Sequence, residues 1–196
     1  MTTDLLFPID ADDLARLHER LVADAAAVGI LEVSYRTVDS PIGGLLLAAT
    51  DDGLVRVAFE REGFDDVLAT LAEQVGPRVL SAPSRLDDAA RQFEEYFAGA
   101  RHTFELPLDD RLSSGFRRTV QRSLAHIAYG RTATYKEVAE AVGNPGAVRA
   151  VGTACATNPL PLVLPCHRVL RTDGSLGGYR GGAEAKEMLL ALERAA

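Results

Sequence analysis

The sequence predicts an α+β fold: a small N-terminal domain with an antiparallel sheet and helices, then a mostly helical C-terminal domain containing a helix-turn-helix. Three observations carry this. Residues 31–60 break into short apolar runs separated by turn residues, a strand–turn–strand pattern. Beyond residue 114 apolar residues recur every three or four positions, the period of a helix. The charge changes sign near the same point: residues 111–171 hold eight Arg and one Lys against Glu137 and Glu140, a net +7 in a chain whose total is −7. At 196 residues, 47% apolar and 25% charged, the chain can bury a sizeable core and does not have the composition of a disordered protein.

Taken in order, residues 10–28 read as a helix, with Asp10 as cap and Leu14, Leu17, Leu21 and Ala25 at helical spacing. Residues 31–38, 44–50 and 53–60 read as strands. Their connections, Asp39-Ser40-Pro41-Ile42-Gly43 and Asp51-Asp52-Gly53, are too short for a crossover, so the strands pair antiparallel. Helices follow over 64–75 and 86–98, the second with Leu86, Ala89, Ala90, Phe93 and Phe97 on one face, and His102–Leu106 reads as a further strand. The expected division is a helical extension over 1–30, an α+β domain over 31–106, a linker over 107–113 and a helical domain over 114–196. In the last, Phe116, Val120, Leu124 and Ile127 line one helix, capped by Ser113 or Ser114. Thr134-Tyr135-Lys136-Glu137 is a capping box, in which the Thr hydroxyl and the Glu side chain each satisfy a free amide. That helix turns Val138 and Val142 inward and stops at Gly143. After Asn144-Pro145-Gly146 a third helix runs to about Ala156, completing a helix-turn-helix within the basic segment.

The pattern alone occurs in many helical proteins. The third helix adds chemistry: Arg149, Gly152, Thr153 and Ala156 share one face, a single long cation among small residues that let a backbone approach another surface closely, so Arg149 is either a plain surface arginine or one that reaches into a DNA groove or stack. Val148, Val151 and Cys155 fall on the opposite face, which makes Cys155 a core residue. Other function classes are set aside. No apolar run reaches the roughly 18–20 residues of a membrane span, and Asp4, Asp10, Asp12 and Asp13 without an early Lys or Arg do not read as a secretory signal. Two cysteines without a Cys-x-x-Cys motif suit a reducing cytoplasm. The four His and two Cys lack metal-ligand spacing. Gly174–Gly182 fits neither phosphate-binding glycine motif, so it reads as a shaped loop near the site.

Cys166 is the candidate nucleophile. It follows Leu162-Val163-Leu164, an apolar run between prolines that reads as a buried extended segment, so the thiol should sit at the rim of a core. His167, Arg168 and Arg171 are near enough in sequence to favour a thiolate. Adjacent residues of an extended chain point apart, so a water is expected between Cys166 and His167. On these residues alone, a buried inert thiol or a cysteine hydrolase remains open.

Tyr135, Asn144-Pro145 with Arg149-Ala150-Val151-Gly152, Asn158-Pro159, Pro165-Cys166-His167-Arg168-Val169, Gly178-Tyr179-Arg180-Gly181-Gly182, and a closing helix with Lys186-Glu187 and Leu189-Leu190 together resemble the O6-alkylguanine-DNA alkyltransferase family. The match is dense over 114–193 and looser over 31–106, where Asp39-Ser40-Pro41-Ile42-Gly43 still carries it. The resemblance implies single-use transfer of an alkyl group from O6-alkylguanine, and from O4-alkylthymine, in double-stranded DNA to Cys166. It implies a monomer that needs no cofactor and flips the damaged nucleotide out. His167 would take the thiol proton through a water and Glu193 would orient His167. Asn158 would brace the turn before the cysteine. Tyr135 would crowd the target phosphate and donate a proton to the leaving base, Arg149 would fill the gap in the stack, and Gly152 and Thr153 would adjoin the DNA. Pro161, Val169, Tyr179 and Arg180 would form the base pocket. Gln121 stands where relatives often have a bulky aromatic, a difference expected to affect packing only. Helix 10–28 looks like an addition, the zinc ligands of some relatives have no counterparts, and the acceptor missing from the non-repairing alkyltransferase-like proteins is present. A damage sensor without transfer and a cysteine hydrolase using Cys166 and His167 are the alternatives.

Overall fold

The structure is a computed structural model and describes residues 10–194. It opens with α1 (Ala11–Ala27), where Asp10 accepts from the amides of Asp12 at 2.6 Å and Asp13 at 3.1 Å. The apolar stripe foreseen on this helix does not face a core: Leu14, Leu17 and Leu21 are 56%, 56% and 52% exposed. Ala25 is buried, and the His18 ring meets the Ser81 carbonyl at 2.5 Å.

Next come β1 (Val33–Val38), β2 (Leu45–Thr50) and β3 (Gly53–Phe59), then α2 (Phe64–Gln74), β4 (Val79–Ser81) and α3 (Asp87–Phe97). The sheet order is β3-β2-β1-β4. The β1–β2 and β2–β3 pairs are antiparallel, as the short turns dictate, while β4 adds to β1 in parallel through a return over α2. The strand foreseen over His102–Leu106 does not form. There the chain is irregular, and only beyond it does Leu108 bridge to Leu54 of β3. Phe104 is spent instead on packing against the rings of Phe93 and Tyr96.

The side-chain alternation of β2 divides the core. Leu46 and Ala48 join Val33, Val55, Ala58, Val67 and Leu71 beneath α2. Leu45 and Leu47 point to the other face and join Val57, Phe59, Phe93 and Tyr96. That second cluster continues into Leu160, Leu162, Leu164 and Leu189, which come from the helical half. Each such fully buried Leu contributes about 1.5–3 kcal/mol, so the segment before Cys166 is welded to the sheet.

The helical half holds α4 (Gly115–Leu124), β5 (Ala133–Thr134), α5 (Tyr135–Ala141), α6 (Val148–Ala156), β6 (Val169–Leu170) and α7 (Ala183–Arg194). Ser114 occupies the cap of α4 without a side-chain hydrogen bond. The capping box of α5 is formed: the Glu137 amide donates to Thr134 Oγ1 at 3.1 Å, and the Thr134 amide to Glu137 Oε2 at 2.6 Å. Val151 and Cys155 of α6 pack on Val120, Leu124 and Val138, but Val148 is 37% exposed rather than part of that core. Gln121 is a hydrogen-bonding tie rather than a packing substitute: buried, it accepts from the Ser113 hydroxyl and donates to the Ala154 carbonyl at 2.9 Å, fixing α4 to α6. No helix among the described residues is long and apolar enough to cross a membrane.

Candidate active site

Cys166 is delivered by a turn, not by the extended segment its prolines suggest. After α6 the chain turns through Pro159–Leu164. Leu162 has φ 70°, the one non-glycine residue among those described in the left-handed region. That conformation costs about 1–2 kcal/mol and is held by burial of the Leu162 side chain at 1% exposure. Asn158 spans the turn from inside, accepting from the Leu160 amide at 3.0 Å and donating to the Leu164 carbonyl at 2.7 Å. Pro161 is buried within it. Cys166 then opens a 3-10 turn, Cys166–Arg168, and is 4% exposed.

β6 pairs in parallel with β5, so the strand leaving the cysteine lies beside the residues that start α5. This brings Tyr135 to the site half-buried, its hydroxyl pressed against Gly177, where any side chain would collide with it. Burial first, and then the nearby Cys155 and Cys166, raise the Tyr135 phenol above its ordinary value, so it stays protonated at neutral pH.

The His167 ring is wholly buried and meets Glu193 Oε1 through Nε2 at 2.8 Å. The same oxygen accepts from Tyr96 Oη at 2.6 Å and Arg168 Nη2 at 2.9 Å, while Oε2 accepts from Arg168 Nε at 2.9 Å and the Gly130 amide at 3.3 Å. Burial alone would raise the Glu193 carboxyl; the hydrogen bonds from His167, Arg168 and Tyr96 overcome it and hold the group well below the usual carboxylate range. Glu193 is therefore ionised. Burial outweighs its pull on His167, whose ring is held below the ordinary histidine value and is neutral at pH 7. With Nε2–H donated to Glu193, Nδ1 is the basic nitrogen; it is enclosed and has no protein partner.

Burial pushes the Cys166 thiol up, while the Asn158 amide and the Lys186 ammonium favour the thiolate. Lys186 is itself fully buried and donates to the Val169 carbonyl at 2.6 Å. Arg168, read from its position as a neighbour of the sulfur, is committed instead to Glu193 and the Ile127 carbonyl. Cys155 is a buried core thiol with its pKa pushed up to about 12, first by burial.

The remaining candidates fall into two groups. Val169, Tyr179 and Arg180 surround the cysteine: Val169 is fully buried, and the Tyr179 ring stands edge-on to Phe59 at 5.4 Å and to His167 at 6.3 Å. Arg180 donates to the Ala156 carbonyl at 3.2 Å and to Glu62 Oε2 at 3.2 Å. Arg149, Gly152 and Thr153 lie on the outer face of α6, with Arg149 and Thr153 exposed. Arg118 and Arg122 of the same basic segment are tied to Asp110. Sequence reasoning missed Tyr96 and the part played by Lys186. An apolar stripe contains Tyr96 on α3, and an inward-facing register contains Lys186 on α7, but neither pattern says where the polar tip ends.

Comparison with known proteins agrees across both halves. Residues 115–195 match the family model described as 6-O-methylguanine DNA methyltransferase, DNA binding domain, and residues 33–109 match the model for the ribonuclease-like domain of the same proteins. The chain is 44% identical over 162 residues to a methylated-DNA–protein-cysteine methyltransferase of Mycolicibacterium paratuberculosis, covering 83% of this chain and 93% of that protein. It is 39% identical over 161 residues to the constitutive enzyme of that name from Bacillus subtilis, covering 82% and 94%. The crystal structure of Mycobacterium tuberculosis O6-methylguanine methyltransferase superposes with TM-score 0.74 at 37% identity, over 83% of this chain and 93% of that one. The Mycobacterium tuberculosis OGT structure in complex with DNA gives 0.71 at 38% identity over the same shares. On these matches, spanning the sheet half and the helical half alike, the chain belongs to the 6-O-methylguanine-DNA methyltransferase family.

Proposed function

We propose that this chain repairs alkylated DNA by moving the alkyl group from O6-alkylguanine, and from O4-alkylthymine, onto its own Cys166. The observation that carries the reading is the pairing of a buried cysteine with a neutral histidine whose far nitrogen is locked to an ionised Glu193. That histidine can accept one proton at Nδ1, through a water, leaving a thiolate. A thiolate is a strong, soft nucleophile suited to a saturated carbon. As the S–C bond forms, the C–O6 bond breaks and its electron pair passes to the base. The protonated Tyr135 phenol donates a proton to the leaving guanine. The product thioether is not reversed by water, so each molecule acts once.

The target carbon is inside the duplex, so the nucleotide is flipped out, at a cost of a few kcal/mol. Arg149, exposed among the small residues of α6, fills the gap, with Gly152 and Thr153 against the backbone. Pro161, Val169, Tyr179 and Arg180 receive the base, and Asn158 holds the turn beneath it. The protein works as a cytoplasmic monomer without a cofactor.

The test is to incubate the chain with duplex DNA carrying O6-methylguanine and measure intact mass. A gain of one methylene equivalent on Cys166 is expected; an unmodified protein overturns the reading. Turnover of an ester or peptide would favour a hydrolase, and lesion binding without transfer a sensor. Arg149→Ala should slow repair of duplex DNA more than reaction with free O6-benzylguanine. Equal losses would remove the gap-filling role.

A further inference from the structure

A corner of the sheet half sits directly on the chain that follows the cysteine. Two glycines of the Tyr179–Gly182 loop lie against it. The Phe59 ring lies over Gly181, where a Cβ would come within 2.8 Å, and the Arg61 guanidinium crosses Gly182, where a Cβ would collide. Between these contacts lies a shared carboxylate. Glu62 Oε1 accepts from the Phe59 amide at 2.9 Å, which fixes the group. Its Oε2 accepts from Arg56 and, at 3.2 Å, from Arg180 Nη1. Arg56 is buried and also reaches the Pro159 carbonyl at 3.4 Å, at the start of the cysteine turn. Arg180 in turn holds the Ala156 carbonyl at 3.2 Å, the last residue of α6. One side chain of the sheet half thus ties β3 and, through the two arginines, the end of α6, the cysteine turn and the Tyr179–Gly182 loop.

We propose that Glu62 is a positioning residue for the alkyl-acceptor pocket: acting through Arg180, it fixes the wall built by Tyr179–Gly182 and so sets how large an alkyl group Cys166 accepts. This rests on the reading of Cys166 as acceptor and Arg180 as part of its pocket. A charge-assisted bond holds Arg180 in one place. Without the carboxylate, the arginine keeps only the Ala156 carbonyl and the wall gives way. A bulky group gains most from a yielding wall, and a methyl group gains least.

The experiment compares single-turnover transfer from O6-methylguanine and O6-benzylguanine in the same duplex, using the whole chain, well below each variant's Tm. Glu62→Gln should raise the benzyl-to-methyl rate ratio by about fivefold, the upper range for a partly exposed ion pair. Because Glu62→Gln leaves buried Arg56 without its counter-charge, the paired Arg56→Met, Glu62→Leu variant removes both together and should shift the ratio the same way. A role in folding alone would lower Tm and scale both rates equally, so an unchanged ratio in the folded paired variant overturns the proposal. Arg180→Ala should reproduce the shift, with no further change when Glu62→Gln is added; additive shifts overturn the route through Arg180. If the parent chain transfers neither group, it is the acceptor reading that fails, and the two failures are distinguishable.

Discussion

The two sides of Cys166 treat their polar atoms differently. Behind the cysteine, the oxygens of Glu193 accept from Tyr96, His167, Arg168 and Gly130, elements that span α3 to the 3-10 turn. Toward the Tyr179 ring, His167 Nδ1 and Tyr179 Oη are enclosed yet have no partner within the protein; the same holds for Tyr129 Oη, which stands beside Tyr96 on the Glu193 side. A buried polar atom without a partner normally costs about 1–3 kcal/mol. The carboxylate network fixes the geometry. On the proposed function, preorganisation and stability belong to that network, and recognition of the base belongs to the Tyr179 side.

The largest effect should come from breaking the carboxylate network. Glu193→Gln leaves Arg168 buried without its counter-charge, a loss of about 3–5 kcal/mol. It also releases His167, for a fall in transfer of about a hundred- to ten-thousand-fold, the range for general base catalysis. Thermal unfolding and single-turnover rates check both; a variant with parental stability would end the comparison. Acid should act on the same side. His167 is held below its ordinary value, so as pH falls below about 6.5 the unfolded chain takes up a proton that the folded chain refuses, and stability drops. Glu193 is held low as well, so its contribution is present above the ordinary carboxylate value and is lost below about pH 4.3. Tm should decline in two stages on acidification, and His167→Gln should remove the first.

A pair of tyrosines compares the sides at one oxygen atom each. Tyr96→Phe deletes a hydrogen bond to an ionised carboxylate and should cost about 1.5–3 kcal/mol. Tyr179→Phe deletes a hydroxyl with no partner and should leave Tm unchanged or raise it, while slowing transfer. Equal stability losses would refute the division. Least of all, Leu17→Ser on α1 should stay within about 0.5 kcal/mol of the parent, because Leu17 is 56% exposed.

Local patterns made much of this legible. The capping box at Thr134–Glu137, the tight turns of the antiparallel strands and the face shared by Arg149, Gly152 and Thr153 all rest on neighbours within a few residues. β4 was not legible, because its three residues gain their place only by parallel pairing with distant β1. The turn through Leu162 was hidden for a related reason. A leucine has no local preference for φ 70°; the core across the sheet and the brace from Asn158 impose it. At the site, residue patterns pointed to Cys166 and His167 and the family resemblance to Glu193, but neither pointed to Tyr96, 97 residues before the carboxylate it serves. Arg168 misled for the opposite reason: it is next in line to the cysteine and histidine, yet turned away from the sulfur.

The position of Glu193 also sets a timetable. Tyr96, Gly130, His167 and Arg168 all leave the ribosome before α7, which carries the carboxylate they meet. During synthesis the cysteine turn can settle on the finished sheet, but its histidine lacks the Glu193 carboxylate until α7 docks. The histidine beside the acceptor cysteine thus gains its anchor only after every other group that meets the carboxylate has been made.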